Sequence, residues 1–179
     1  NIYVIHLGAQ GTKNIRVVPN YVGDWIGSYV VRSSTCTGDF LRAGICEDTF
    51  APNRVLPMDL ELSQTRDVVT GRTFLGSIPS DTFTANVRDN GSIAFSVIGR
   101  SGDGQFLQSW AINSTRAGSI GGGFNLLFTL AGASGELRAT MDIRDLNKAQ
   151  GVGTASEPMS AGPALEGALS GIITPRLRR

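Results

Sequence analysis

Few residues in this chain are of the types that carry out catalysis. His6 is the single histidine among 179 residues, so a Ser-His-Asp or Cys-His arrangement could be built only around it. It lies in a segment that we predict to be irregular. Asp59 and Glu61 are closely spaced carboxylates, but they occupy the polar positions of an alternating segment, which predicts a solvated outer surface. The Gly121–Gly123 run lacks the lysine and following helix of a phosphate-binding loop. We therefore expect no catalytic residues, no cofactor and no enzymatic activity.

The two cysteines, Cys36 and Cys46, are placed to form a disulfide. Both lie in a long, polar, glycine-containing connection rather than on an apolar face, which favours a disulfide over two free buried thiols. Two thiols with His6 far away in sequence are too few ligands for a zinc site, so we expect no metal. Disulfides persist in oxidising compartments, and Asn1 in place of methionine fits a processed chain. We therefore expect an extracytoplasmic location, which is periplasmic, cell-surface or secreted.

The elements that would position any site are strands. Leu56, Met58, Leu60 and Leu62 alternate with mostly polar residues, and successive side chains of a strand point to opposite faces. A helix would need apolar residues spaced by three and four. Residues 106–113 carry bulky side chains on both faces, so their register stays open. The pattern, in stronger or weaker form, predicts eight strands: 25–32, 56–63, 68–75, 82–88, 92–97, 106–113, 124–130 and 137–143.

The joints between these segments predict hairpins. Asp89-Asn90-Gly91 is a tight-turn signal because Asn and Gly tolerate positive φ. Arg66-Asp67 leaves room only for a hairpin, and 101–104 and 131–134 are short glycine-containing loops. Gly121–Gly123 should open or bulge a strand. Eight sequential antiparallel strands favour an all-β up-and-down barrel, which removes exposed edges. A two-sheet β-sandwich is the alternative.

Length agrees with one domain, and charge limits the possible partners. The barrel would occupy residues 21–148, with an extended N-terminal arm at 1–20 and a C-terminal arm at 149–179. Sixteen basic and fifteen acidic residues give a formal charge of +1, so we expect neither nucleic acid nor anionic lipid as a partner. No run of about 20 apolar residues is present, so we expect no transmembrane helix.

The order of the strands also predicts where partners bind. Connections in an up-and-down barrel alternate between its ends, so the cysteine loop (33–55) shares a rim with 76–80, 101–105 and 131–134. The tight turns share the opposite rim. Binding functions concentrate on the longer loops of a rigid scaffold, so the cysteine-loop rim is the expected binding end.

Gly23-Asp24-Trp25 resembles the G-x-W signature of lipocalins and related calycin barrels. In that family the tryptophan plugs one barrel end and packs on an arginine after the last strand, a role that Arg144 would fill here. The resemblance implies a small-molecule carrier. The chain departs from the family because nothing after Arg144 resembles its long C-terminal helix. An eight-stranded barrel is just wide enough to be filled by side chains or to hold one small ligand, and the apolar inward positions favour a filled interior.

The two arms provide the remaining functional signal. The N-terminal arm contains the apolar pieces 2–5 and 15–18, and the C-terminal arm is rich in Gly, Ala, Ser and Pro. A tail of that composition buries too little apolar surface to order by itself, so we expect both arms to lie against other protein subunits or, alternatively, against their own barrel. The predicted function is a non-catalytic accessory or structural subunit of an extracytoplasmic assembly, which docks through its arms and long-loop rim. The alternative is a lipocalin-like binder of a small apolar ligand.

Overall fold

The structure, a computed structural model, describes residues 3–7, 14–115 and 118–149. Each of the eight predicted segments corresponds to a strand, and three further strands and two short helices are present. The elements in chain order are β1 (Tyr3–Leu7), β2 (Asn14–Val18), β3 (Gly23–Cys36), α1 (Gly38–Arg42), α2 (Ile45–Asp48), β4 (Val55–Thr65), β5 (Val68–Leu75), β6 (Ile78–Pro79), β7 (Phe83–Asn86), β8 (Ser92–Ser101), β9 (Gly104–Ser114), β10 (Ile120–Leu130) and β11 (Leu137–Lys148).

Strands β3–β11 form one antiparallel sheet in the order β6-β5-β4-β3-β11-β10-β9-β8, with β7 also paired to β5. The pairing of β3 with β11 joins the first and last strands of the predicted barrel. The two ends of the order meet where Ser80, which follows β6, bridges Gly99 of β8. The sheet is therefore closed, and the prediction of an all-β antiparallel barrel is confirmed.

The register of β9 follows the same inside-outside alternation as its neighbours. Phe106, Gln108, Trp110 and Ile112 are buried, whereas Leu107 faces outward and is 41% exposed. Sequence alone left this register open because bulky residues occupy both faces. Pairing with β8 and β10 on either side decides it.

The glycine run bulges β10, as predicted. The register between β10 and β11 shifts between Ile120 and Gly123. Gly122 has φ +125°, and a Cβ at this position would lie 2.2 Å from the carbonyl oxygen of Ala111. Only glycine permits that conformation at that separation, so the run shapes the barrel wall.

Strands β1 and β2 form a separate antiparallel pair, in which Tyr3 faces Val18 and His6 faces Ile15. The prediction of irregular backbone at His6 is therefore wrong. The apolar piece at 2–5 does not alternate with polar residues, so periodicity alone could not identify a strand there. Val18 belongs to the barrel core, while Val17 is 62% exposed. The predicted C-terminal arm lies, except for its first residue, outside the described residues.

Candidate functional site

One end of the barrel is covered by the cysteine loop. Its helices α1 and α2 are tied to the end of β3 by the Cys36–Cys46 disulfide, which confirms the predicted bond, with a Cα–Cα distance of 5.9 Å. Phe40 of α1 is fully buried and meets the ring of Phe128 edge-on, with 5.2 Å between centroids. The loop is therefore a cap, which we define as residues 37–54.

Hydrogen bonds hold the cap to the β10–β11 turn. The Asp39 carboxylate accepts bonds from the backbone N–H of Ser134 at 2.6 Å and from its hydroxyl at 3.0 Å. The Ser134 N–H, followed by the Arg42 guanidinium, lowers the pKa of Asp39 to about 2. Gly38 has φ +59°, and a Cβ there would lie 2.3 Å from the Ser134 carbonyl oxygen. Glycine at this position therefore allows the cap to approach the turn.

The opposite end is closed by Tyr21 and Trp25. The buried Tyr21 hydroxyl donates to the Gly91 carbonyl at 2.6 Å and accepts from the Ser114 N–H at 3.0 Å. The Trp25 indole N–H donates to the Tyr21 carbonyl at 2.9 Å, and the Gln64 side-chain oxygen accepts from the Tyr21 N–H at 2.8 Å. Burial raises the pKa of Tyr21. These bonds join the ends of several strands, so both ends of the barrel are covered.

Arg144 is the predicted partner of Trp25, and it lies among the β11 residues that pair with β3. In the β3–β11 register Arg144 faces Ser28, and directly paired residues share a face of the sheet. Arg144 is exposed on the outer face, whereas Trp25 is buried inside. Tyr21 occupies the plug with Trp25. Sequence reasoning missed Tyr21 because it precedes the alternating pattern.

Aromatic rings pack across the interior from β7 to β3. Adjacent rings are stacked along most of this series, and its last pair meets edge-on. Tyr29 of β3 is the last ring of the series, and burial raises the pKa of its phenol. Side chains therefore occupy much of the interior, as the apolar inward positions predict. The centroid distances are 3.6 Å for Phe83–Phe95, 5.8 Å for Phe95–Trp110, 4.0 Å for Trp110–Phe124 and 5.3 Å for Phe124–Tyr29.

A polar cluster of Thr73, Ser80 and Gln108 interrupts this apolar interior. The Gln108 side-chain oxygen accepts bonds from the Thr73 hydroxyl at 2.7 Å and from the Trp110 indole N–H at 3.0 Å. The Ser80 hydroxyl accepts from the Thr73 backbone N–H at 3.0 Å. Gln108 is 1% exposed, and among the described residues its Nε2 has no hydrogen-bond partner. Such orphaned groups are rare in proteins and require an explanation.

The cluster lies at one end of a gap in the hydrogen-bond ladders of the barrel wall. In the described part of the chain no ladder joins β7 to β8, although the predicted turn at 89–91 connects them. The strands are held at their ends by the Asp81 N–H to Ile98 carbonyl bond at 2.6 Å, the Arg88 N–H to Ser92 carbonyl bond at 2.8 Å and the Ser80–Gly99 bridge. We call this gap between β7 and β8 the seam.

The carboxylate pair lies on the outer wall. Asp59 is half-buried and Glu61 is exposed. Burial, and then the negative charge of Glu61, raises the pKa of Asp59. Within the described ranges, no group of three or more His, Cys, Asp or Glu side chains is arranged to hold a metal ion. None of the described helices is long and apolar enough to cross a membrane.

No family model matches the chain, and a search of curated proteins likewise finds no match. Among solved structures, the chain is similar to one described as "REP1-NXSQ fatty acid transporter", with 11% sequence identity and a TM-score of 0.24. The match covers 70% of this chain and 97% of that one. A TM-score this low carries no argument about ligand or family.

Proposed function

We propose that this protein is a non-catalytic subunit of an extracytoplasmic assembly, which docks through its N-terminal hairpin and its cap. The observation that carries the proposal is the β1–β2 pair, which stands outside the barrel sheet. A two-stranded hairpin is marginal by itself in water and needs a surface to pack against. Val18 packs into the barrel core, while Val17 on the same strand stays exposed and is available to another surface.

The cap and the residue that follows it supply a second apolar surface, at the other end of the barrel. Leu41 of α1 is 54% exposed, and Val55 at the start of β4 is also exposed. Both lie at the cysteine-loop rim, which is the predicted binding end. The interior supports the same proposal, because both barrel ends are covered and stacked rings occupy much of the space between them. The Cys36–Cys46 disulfide favours an oxidising compartment.

The size of the native protein tests this proposal. A tagged full-length chain in its own extracytoplasmic fraction should migrate on a native gel well above the 18.9 kDa of the monomer. V17E and L41E each place a charge on a proposed docking surface and should release the chain from the assembly. L107E, on the exposed barrel wall, is the matched control and should have no effect. Migration as a monomer in that fraction would contradict the proposal.

A lipocalin-like binder of a small apolar molecule is the second candidate, favoured by the orphaned Gln108 amide inside the barrel. Native mass spectrometry of the full chain tests it directly. The expected result is a co-purifying small molecule that is lost on unfolding. A chain of unliganded mass that binds no added small molecule would exclude this candidate.

A further inference from the structure

A row of mostly apolar side chains crosses the outer wall of the barrel. Ile26 of β3 pairs with Asp59 of β4 in the strand register. Asp59 pairs in turn with Phe74 of β5, and Phe74 pairs with Pro79 of β6. Directly paired residues share a face of the sheet, so these four side chains lie side by side across four strands. Ile26 and Phe74 are half-buried and Pro79 is exposed. We call these four residues the Asp59 row.

The carboxylate at the centre of this row has no counter-charge. Within the described ranges Asp59 forms no hydrogen bond and no ion pair. Burial and the negative charge of Glu61 raise its pKa, and no donor or cation offsets them. Asp142, a half-buried carboxylate on the outer wall at β11, is instead paired with Arg32. A half-buried charge without a partner costs free energy, so Asp59 weakens the barrel that carries it.

The surroundings of the row add negative charge. Asp24 of β3 pairs directly with Glu61 of β4 in the register, and like charges in that position repel each other. Arg72 lies on the other side of Glu61. Its Nε donates to the Thr82 hydroxyl at 3.3 Å, and it forms no ion pair with Glu61 among the described side chains. The face is therefore complementary to a cation that comes from outside the barrel.

We propose that the Asp59 row is a docking surface for an arginine-bearing segment of a different protein subunit, whose guanidinium pairs with Asp59 while its apolar neighbours cover Ile26 and Phe74. Arginine fits better than lysine, because a planar guanidinium donates two bonds to a carboxylate and stacks on an aromatic ring such as Phe74. The proposal rests on the proposed function as a subunit. It adds a third surface to the hairpin and the cap and states the chemistry of the partner.

The variant D59N should have opposite effects on the free and the assembled protein. In the purified full-length chain it removes an unpaired, half-buried charge, so the melting temperature at pH 7 should rise. In the native extracytoplasmic fraction it leaves the partner's arginine without a carboxylate, so the ratio of free to assembled chain on a native gel should rise at least tenfold. A residue with a purely structural role would change both readouts in the same direction.

The variant D142N is the matched control. It also removes a half-buried carboxylate from the outer wall, but this carboxylate already has Arg32 as its partner. The pair is partly exposed and contributes little stability. D142N should therefore leave the ratio of free to assembled chain unchanged. The higher melting temperature expected of D59N excludes misfolding as the cause of its release.

The outcomes separate this site from the proposed function. A wild-type chain that migrates as a monomer in its native fraction would overturn both. An assembled wild type with D59N equally assembled, or release by D142N as much as by D59N, would overturn the Asp59 row alone and leave the subunit.

The chain's own arginines are the competing occupant, because Arg176, Arg178 and Arg179 lie close together in the sequence. The pKa of Asp59 in the purified full-length chain, measured by ¹³C NMR of its carboxyl group, tests this. It should be the same in wild type and in R176Q/R178Q/R179Q. A pKa that rises in the triple variant would assign the row to this chain's own arginines and overturn a separate partner. Assembly of the purified chain by itself that D59N abolishes would assign the row to a second copy, with the same consequence.

Discussion

Removal of the Cys36–Cys46 disulfide should destabilise the protein by an amount set mainly by chain entropy. The bond closes a loop with a sequence separation of 10. Cross-linking a loop of this length restricts the unfolded chain by an amount worth about 2.5–3 kcal/mol at 25 °C. The double variant C36A/C46A removes the bond without adding a polar group near the buried Cys36. The wild-type chain in reducing agent reaches the same open loop by a second route.

Urea unfolding followed by the fluorescence of Trp25 and Trp110 measures the effect. For a slope of about 1–3 kcal/mol per molar urea, the midpoint should fall by roughly 1–3 M. Hydrogen exchange should locate the first loss of protection in the cap, at the amides of Asp39 and Ala43, which bond to Ser134 and Asp39 respectively. The barrel strands should keep their protection under native conditions.

Two results would refute this reasoning. A change in unfolding free energy below about 0.5 kcal/mol, which is ordinary for surface substitutions, would show that the loop stays constrained without the bond. Loss of protection in the barrel strands before the cap would show that the disulfide supports the barrel wall directly. If C36A/C46A and the reduced wild type show the same unfolding free energy and the same order of exchange, the result comes from loss of the bond and not from the alanine side chains.

Three further changes test the electrostatics and the close backbone contacts. The pKa of Asp39 is lower in the folded state, so its ionised form stabilises the fold at pH values above its unfolded pKa. D39N should be less stable than wild type at pH 7, and this difference should shrink as the pH falls below the unfolded pKa and vanish below about pH 2. The pKa of Asp59 is raised, so ionisation opposes folding as the pH rises; D59N should unfold at a higher temperature than wild type at pH 7 but not at pH 3, and equal shifts at both would contradict the assignment. G71A should lower the melting temperature, because its Cβ would lie 2.3 Å from the Glu61 carbonyl oxygen, and an unchanged melting temperature in thermal unfolding would show that β4 and β5 move apart at little cost.

Local patterns were sufficient for most of the wall. The alternation of Leu56, Met58, Leu60 and Leu62 predicts which face is buried because the side-chain period of a strand is fixed by its backbone geometry. Their burial confirms it. The Cys36–Cys46 bond was predictable because the two cysteines are near in sequence and have no other cysteine to pair with. The expectation that both lie in a polar loop was wrong for Cys36, which is buried as the last residue of β3.

Contacts between distant segments decided the remainder. Whether the Asn90-Gly91 turn leads into a ladder depends on how the whole sheet closes, and the chain folds so that the weakly joined seam falls between β7 and β8. Tyr21 plugs the barrel end through bonds to residues 43, 70 and 93 positions away, and Arg144 is directed to the outer face by the register of β11 against β3. The Gln108 amide depends on closure in part, because Thr73, 35 positions away, donates to the Gln108 oxygen only in the closed barrel, whereas the bond from Trp110 is local to β9. A strand's period is a property of adjacent residues, whereas closure, plugs and orphaned polar groups depend on which strands meet.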